Sequence, residues 1–200
     1  VAAGYAAPAD NGPGYRLGPT LRRDTVPAVA THHLRRTARP FLEELVDRTG
    51  ECAHVAVADG TRALVLDDVE TDRPLRVVPV AGRHVALHCT SAGKCLLAFG
   101  LAKLPETLPR RTPRTITSPT LLEAHLARVR DAGYAWDDEE NDTHTRCISA
   151  PVYGAGGAVG CIGIDAPSVR LTVDRIPEAA AHVVDVARRL YSALQKARTA

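Results

Sequence analysis

Several features that define whole classes of protein are missing from this 200-residue sequence. It contains no methionine, aromatic residues make up 4%, and no apolar run approaches the roughly 20 residues that span a bilayer. The first residues lack the basic-then-apolar pattern of a secretory signal. We therefore expect a cytoplasmic protein that has no membrane partner. Because it opens at Val1, we also expect it to be a fragment of a longer chain.

The charge of the sequence is nearly balanced, with 25 Lys and Arg against 23 Asp and Glu. Such a balance supplies no global field that would draw the chain onto nucleic acid, so a nucleic-acid role would need a local patch or another part of the protein. The hydrophobic fraction of 45% is enough for one domain with its own core.

The five cysteines are an odd number, are scattered, and form no C-x-x-C pair. This arrangement favours buried, reduced thiols over a disulfide framework or a structural zinc site. We therefore expect neither a metal nor a cofactor, with zinc held by Cys147 or Cys89 as the disfavoured alternative. His84 and His88 are four apart, but the segment between them is strand-like, so a helical metal pair is not predicted.

The hydrophobic pattern predicts helices on both sides of a set of short strands. Apolar residues at helical spacing from Leu34 predict a helix that ends at Gly50 and is bent or broken at Pro40. Thr90, Ser118 and Thr172 are predicted N-caps of three further helices. Strands are predicted at Cys52–Ala58, Ala63–Val69, Val77–Val80, Val85–Leu87, Tyr134–Trp136, Cys147–Tyr153 and Val159–Ala166. Near the start, Gly4–Ala7 and Gly14–Leu17 flank a turn-rich cluster and predict a hairpin. The sequence thus predicts an α+β fold.

Six segments occur in a specific order and spacing: Tyr15–Pro19; Ala38–Pro40 with Thr49–Glu51; Leu87–Phe99; Thr115–Thr117; Gly133–Ala135 with Asp137–Glu140; and Arg146–Val152. Together they resemble the effector-binding domain of the IclR family of bacterial transcriptional regulators. The resemblance covers about residues 15 to 195. It implies a GAF-like domain with a central antiparallel sheet flanked by helices, and homodimers or homotetramers that act on operator DNA.

The resemblance also implies a domain organisation. Residues 1–18 would be the remnant of a winged-helix wing, 19–33 a linker helix that Pro27 shortens or kinks, and 34–200 the effector-binding domain. The N-terminal winged helix-turn-helix that would contact operator DNA would then be largely missing from this sequence.

A candidate binding site lies at the predicted helix start near Thr90. The amide groups of a helix N-terminus attract anions, and small residues at Ser91 and Ala92 would let a carboxylate approach. The resemblance also implies that Ser91 and Ala92 contact the effector, together with Asp137, Cys147, Gly163 and Asp165. It implies that Val77, Val85 and Thr145 form the less polar wall of the site.

Asp165 departs from the family pattern, because serine is common at this position and at Gly163. A purely anionic effector beside both Asp137 and Asp165 would be repelled unless one acid were protonated or a donor intervened. We therefore hypothesise an effector that carries hydroxyl, amine or amide donors as well as any carboxylate.

Three functions remain open. The leading hypothesis is a small-molecule effector-sensing domain that controls transcription of metabolic genes. The alternative is a small cytosolic enzyme that uses Cys147 as nucleophile with His144 and Asp137, although strand alternation would send His144 and Cys147 to opposite faces. The third is an oligomerisation domain with an empty site.

Asp137–Glu140 could also be a solvated acidic loop, with Arg146 merely pairing with one of its acids.

Overall fold

The computed structural model describes residues 6–8, 14–17 and 19–196. By its contacts the chain divides into two compact units, Val1–Arg36 and Thr37–Ala200. In the first unit, β1 (Ala6–Pro8) pairs with β2 (Tyr15–Leu17) in an antiparallel ladder. The hairpin prediction is thereby confirmed, while its turn at residues 9–13 lies outside the described residues.

Helix α1 spans Pro19–Thr49 without interruption, so it is not broken at Pro40. A bend at Pro40 and a shorter or kinked linker at Pro27 stay predictions. A proline inside a helix removes one hydrogen bond and frees the carbonyl four residues earlier. Pro40 lies on an exposed face, where water can satisfy that carbonyl. The opposite face buries Leu34, Ala38, Leu42 and Leu45. Gly50 then ends the helix with a φ of 68° and donates its N–H to the Val46 carbonyl at 2.7 Å.

Six antiparallel strands form the central sheet, in the order β5-β4-β3-β8-β7-β6. Their bounds are Cys52–Asp59 (β3), Arg62–Val69 (β4), His84–Ala86 (β5), Ala135–Asp138 (β6), Thr145–Gly154 (β7) and Gly157–Pro167 (β8). The predicted α+β class with a central antiparallel sheet is confirmed. The sheet brings β3, β7 and β8 side by side, and this central position matters for the site described below.

The strand predicted at Val77–Val80 is wrong, because this segment is irregular. The N–H groups of Val80 and Ala81 donate to Asp68 Oδ2, at 2.9 and 2.6 Å, instead of entering the sheet. The edge beside β4 is occupied by β5. A side chain on β4 therefore holds the segment as a loop over the sheet.

Helices α2 (Ser91–Ala98) and α3 (Pro119–Ala132) begin at the predicted caps. Thr90 Oγ1 accepts the Gly93 N–H at 3.0 Å, and Ser118 Oγ accepts the Leu121 N–H at 3.4 Å. Both helices contribute to a core cluster on one face of the sheet, which includes Leu96, Leu122 and Cys161. The apolar pattern after Ser118 also predicts Leu121 to be buried, but this residue is 65% exposed.

Helix α4 spans Ile176–Lys196 and packs against β7 and β8. Thr172 makes no side-chain cap bond and is followed by a short 3₁₀ turn, Val173–Arg175, so that predicted cap is wrong. The stripe that α4 buries has helical spacing: Ile176, Ala180, Val183, Val186, Ala187, Leu190 and Leu194. Within the described residues, no helix is both long and apolar enough to cross a membrane.

Candidate ligand-binding site

A cavity of about 110 Å³ lies within the second unit, at the N-terminus of α2. Eight of the nine predicted site residues line it: Val77, Val85, Ser91, Ala92, Asp137, Thr145, Cys147 and Asp165. They come from α2, four strands (β5, β6, β7 and β8) and one loop, and the fold brings them together. The ninth, Gly163, does not line the cavity.

The first turn of α2 forms one wall of the cavity. Thr90 caps the helix by accepting the Gly93 N–H, as predicted. The first N–H groups of a helix have no carbonyl four residues earlier, which leaves those of Ser91 and Ala92 for another acceptor. Gly93 lets α2 pack tightly, since a Cβ there would lie 2.4 Å from Leu87 Cα. The wall therefore presents amide donors and the positive end of the helix dipole.

A hydrogen-bonded chain of side chains lies beneath this wall. Asp165 Oδ2 is 2.7 Å from His54 Nδ1, His54 Nε2 is 3.1 Å from Ser149 Oγ, and Ser149 Oγ is 2.8 Å from Ser91 Oγ. Sequence reasoning missed His54 and Ser149. The available signal was a histidine in the middle of an otherwise apolar strand, where a polar side chain needs a partner.

Gly163 makes room for this chain. It lies opposite His54 on β3 and opposite Ser149 on β7. A Cβ at Gly163 would come within 2.1 Å of the Ile148 carbonyl oxygen, 2.6 Å of Ser149 Oγ and 2.8 Å of His54 Cε1. The space that a serine side chain would need here is thus taken by the Ile148 carbonyl, the Ser149 hydroxyl and the His54 ring.

The ionisation of His54 and Asp165 is coupled. Burial by itself lowers the pKa of His54, but the charge and hydrogen bond of Asp165 more than offset it and raise the pKa to about 9. Burial likewise raises the pKa of Asp165, whereas the charge of His54 lowers it below its usual value. At neutral pH the two form a buried ion pair, and the negative charge of Asp165 is compensated.

Asp137 is neutralised in a different way. Burial raises its pKa to about 8, against the opposing charge of Lys94 and the N–H of Glu140, which donates to Asp137 Oδ1 at 2.6 Å. Lys94 itself is fully buried and pairs with Glu140. The repulsion expected between Asp137 and Asp165 is therefore removed, by protonation of one and pairing of the other.

The acidic run is only partly solvated. Asp137 and Glu140 are buried, so the solvated-loop alternative is wrong for these two residues. Asp138 accepts a hydrogen bond from Arg146 Nε at 2.7 Å, which confirms that this arginine pairs with an acid of the run.

The rim of the cavity is formed in part by the segment 77–81, which we call the rim segment. Asp68 on β4 holds it through the two backbone hydrogen bonds described above. Glu70, also at the cavity, pairs with Arg76 at 2.8 Å. Neither residue was predicted, because both bind a loop whose return to the cavity the sequence pattern does not indicate.

Cys147 lies on β7 opposite Asp165. Burial, and then the charges of Asp165 and Asp137, raise the pKa of its thiol well above the usual value. His144 lies before β7 in a left-handed conformation with a φ of 67°. Within the part of the chain that the structure describes, no group of three or more His, Cys, Asp or Glu side chains could hold a metal ion.

An antiparallel sheet with flanking helices and a small cavity at a helix N-terminus is the architecture of a ligand-sensing domain. The profile of the family described as "Bacterial transcriptional regulator IclR C-terminal" matches residues 26–192. This chain therefore belongs to the IclR family of bacterial transcriptional regulators and carries its effector-binding domain.

Individual relatives agree with this assignment. The chain is 33% identical over 183 residues to the HTH-type transcriptional regulator BhcR of Paracoccus denitrificans, covering 88% of this chain and 66% of the relative. It is 35% identical to the HTH-type transcriptional repressor AllR of Escherichia coli, covering 78% of this chain and 60% of the relative. It thus spans at most about two thirds of the length of these relatives.

Two solved structures are similar to the chain. Thermotoga maritima IclR superposes with a TM-score of 0.74 at 27% identity, over 96% of this chain and 81% of that one. An IclR homolog from Microbacterium hydrocarbonoxydans, complexed with 4-hydroxybenzoate, superposes with a TM-score of 0.75 at 22% identity, over 98% of this chain and 81% of that one. The second likeness concerns the fold alone.

Proposed function

We propose that this chain senses a small metabolite for a transcriptional regulator of metabolic genes. The observation that carries the proposal is the cavity, where amide donors at the start of α2 face two acids: Asp137, which is buried and has a raised pKa, and Asp165, which is partly buried and paired with His54. A ligand bound there shifts the regulator between conformations by its differential affinity for them. That shift is the signal passed to the DNA-binding domains.

The effector carries a carboxylate and, on a neighbouring atom, a hydroxyl or amine donor. The carboxylate binds the N–H groups of Ser91 and Ala92, and the donor binds Asp165, whose carboxylate also accepts from His54 and the Cys147 thiol. Protonated Asp137 donates to the same ligand, and Cys147 contacts it as a thiol. Val77, Val85 and Thr145 form the less polar wall, and Gly163 acts through the space that it leaves for His54.

The cavity volume limits the effector to a small molecule. At about 110 Å³ it is smaller than the roughly 150 Å³ that accommodates benzene in an apolar cavity. Three-carbon acids fit this volume and are the first probes to test.

The output of the regulator is operator binding by an N-terminal winged helix-turn-helix in a homodimer or homotetramer, in the cytoplasm. Residues 1–18 would be the end of its wing, 19–33 the linker and 34–200 the sensing domain. The family membership and the shorter length of this chain relative to BhcR and AllR support this assignment.

A catalytic role for Cys147 is disfavoured. Nucleophilic catalysis uses the thiolate, and burial beside two acids holds this group as the thiol. The relatives are transcriptional regulators, which also supports sensing rather than catalysis.

Thermal denaturation with a matched set of probes tests the proposal. Propionate, lactate and alanine share a carbon skeleton and differ only in the group beside the carboxylate, while 4-hydroxybenzoate serves as a larger acid. A ligand at 100 times its Kd stabilises the folded state by about 2.7 kcal/mol, which raises the Tm of a domain of this size by about 5–11 °C. We expect lactate or alanine to exceed propionate. A preference for propionate would refute the effector chemistry.

Two variants of one loop show whether a probe binds in the cavity. Val77→Trp places a large side chain in the cavity from the rim segment, whereas Leu75→Trp alters an exposed residue, 58% accessible, that does not line it. The Tm increase is expected to disappear in Val77→Trp and to persist in Leu75→Trp. Equal loss in both would place the binding site elsewhere.

A further inference from the structure

The chain of hydrogen bonds from Asp165 through His54 and Ser149 to Ser91 has a direction, and this direction decides what Ser91 offers to a ligand. Each hydroxyl has one proton to donate. Ser149 is fully buried and Ser91 is 1% exposed, so bulk water does not compete for these bonds. The inference developed here rests on the proposed function, because it concerns the same cavity.

The direction is set at the His54 ring. With both ring nitrogens protonated, Nδ1–H donates to Asp165 Oδ2 and Nε2–H donates to Ser149 Oγ. Ser149 then accepts from His54 and has its own proton for Ser91 Oγ, 2.8 Å away. Ser91 accepts that proton, so its own proton points away from Ser149, to the cavity that Ser91 lines.

Loss of one proton from His54 reverses every bond after the ring. Asp165 is a carboxylate and still needs the Nδ1 proton, which leaves Nε2 as an acceptor. Ser149 would then donate to Nε2 and accept from Ser91. Ser91 would present only its oxygen lone pairs to the cavity. The two protonation states of one buried ring therefore give the cavity wall opposite hydrogen-bonding character.

The surroundings of His54 favour the donor form. Asp165 and Cys161 act on the ring from β8, and Asp68 acts from β4; all three raise its pKa against the effect of burial. Ser149 on β7 and Ser91 on α2 are uncharged. The ring lies against Gly163 and within hydrogen-bond distance of both Asp165 and Ser149.

We propose that His54, acting through Ser149, fixes Ser91 as a hydrogen-bond donor and thereby selects an effector whose group at the start of α2 is a pure acceptor, a carboxylate. A neutral amide in the same place would direct one N–H group against the Ser91 proton or the helix amides. His54 is thus a positioning residue for specificity, and it reaches the effector only through the two serines.

The first experiment needs no ligand. In ¹⁵N-labelled protein, the side-chain nitrogens of His54 are assigned by the signals that disappear in His54→Asn, and their shifts report the protonation of each nitrogen. At pH 7 both ring nitrogens are expected to be protonated. A neutral ring with an unprotonated Nε2 would overturn the proposal.

The second experiment compares lactate with its neutral amide, lactamide, by calorimetry. The wild-type chain is expected to prefer lactate at least tenfold. Ser149→Ala removes the link between His54 and Ser91 but leaves the His54–Asp165 pair. It should reduce the preference for lactate over lactamide to threefold or less. Ser168→Ala is the matched control: it removes another buried hydroxyl, bonded to Glu139 Oε1 at 2.6 Å, that does not line the cavity. It should keep the wild-type preference.

The outcomes separate the inference from the proposed function. Two outcomes would show that His54 does not act through Ser149 and Ser91, and so that the inference is wrong. One is that Ser149→Ala keeps the tenfold preference for lactate. The other is that the double variant Ser91→Ala, Ser149→Ala has a different preference from Ser91→Ala alone. If the wild-type chain binds neither probe, the proposed effector class fails. In that case the ¹⁵N shifts of His54 still show whether both ring nitrogens are protonated, and so whether the hydrogen bonds are donated from His54 towards Ser91.

Discussion

Removal of the buried charge of Lys94 is expected to destabilise the chain strongly. Lys94 is completely buried on α2 and pairs with Glu140, whose side chain is 5% exposed. The second carboxylate oxygen of Glu140 is buried and has no hydrogen-bond partner. Lys94→Met keeps the length of the side chain but leaves the Glu140 carboxylate buried without a counter-charge, which typically costs about 3–5 kcal/mol.

A double-mutant cycle isolates this contribution. Lys94→Met and Glu140→Gln are each expected to lower the free energy of unfolding, and the double variant should cost about 2–3 kcal/mol less than the sum of the two. Urea denaturation followed by circular dichroism measures these values. The Tm of Lys94→Met should fall by about 6–20 °C, since each kcal/mol corresponds to about 2–4 °C in a domain of this size.

An exposed pair provides the control. Arg130 and Glu123 on α3 are 2.8 Å apart and 42% and 60% exposed, so Arg130→Met should cost no more than about 1 kcal/mol. The reasoning is refuted if Lys94→Met costs as little as Arg130→Met, or if the costs of the two buried substitutions simply add.

Three further predictions concern the cavity. Gly163→Ala should lower the free energy of unfolding by about 1–3 kcal/mol in chemical denaturation, because the new Cβ meets the Ile148 carbonyl. The control Gly156→Ala, with no atom within 4 Å of its Cβ, should change stability by less than about 0.5 kcal/mol. Equal effects of the two substitutions would contradict this prediction. The pKa of His54 is about 9 in the folded chain and 6.5 without its partners, so its contribution of about 3 kcal/mol is complete below pH 6.5 and is lost as pH rises through 9. Urea titrations across this range should show that loss in wild type and a smaller one in His54→Asn. Iodoacetamide should label Cys147 at least tenfold more slowly than a free thiol at pH 7.5, as followed by mass spectrometry, because its thiol pKa is raised; rapid labelling would favour catalysis.

Features that depend on neighbours in sequence were predictable. The caps at Thr90 and Ser118 and the ends of helices at Gly50 and Gly133 follow from side chains within a few residues of the terminus. The strands β3, β4, β7 and β8 follow from short apolar runs bounded by turn residues. Thr172 failed as a cap because a 3₁₀ turn comes between it and α4.

Features that depend on strand pairing were not predictable. His54 belongs to the cavity because the register of β3 with β8 places it opposite Gly163, more than a hundred residues away. Asp68 defines the rim segment because a loop returns over β4. A single sequence does not specify strand register. The histidine within an apolar strand indicated that His54 needs a partner, but not which residue that partner is.

The sequence by itself determined the starts of α2 and α3, the α+β class and, through its resemblance to a family, eight of the residues around the cavity. These depend on short-range capping, periodicity and motif order. Only the tertiary structure decided the charge state of the cavity. The pairing of Asp165 with His54 and the raised pKa of Asp137 depend on burial and on partners that are distant in the sequence. The physical reason is that electrostatic free energies are set by the distance between groups and by access of water, not by order along the backbone.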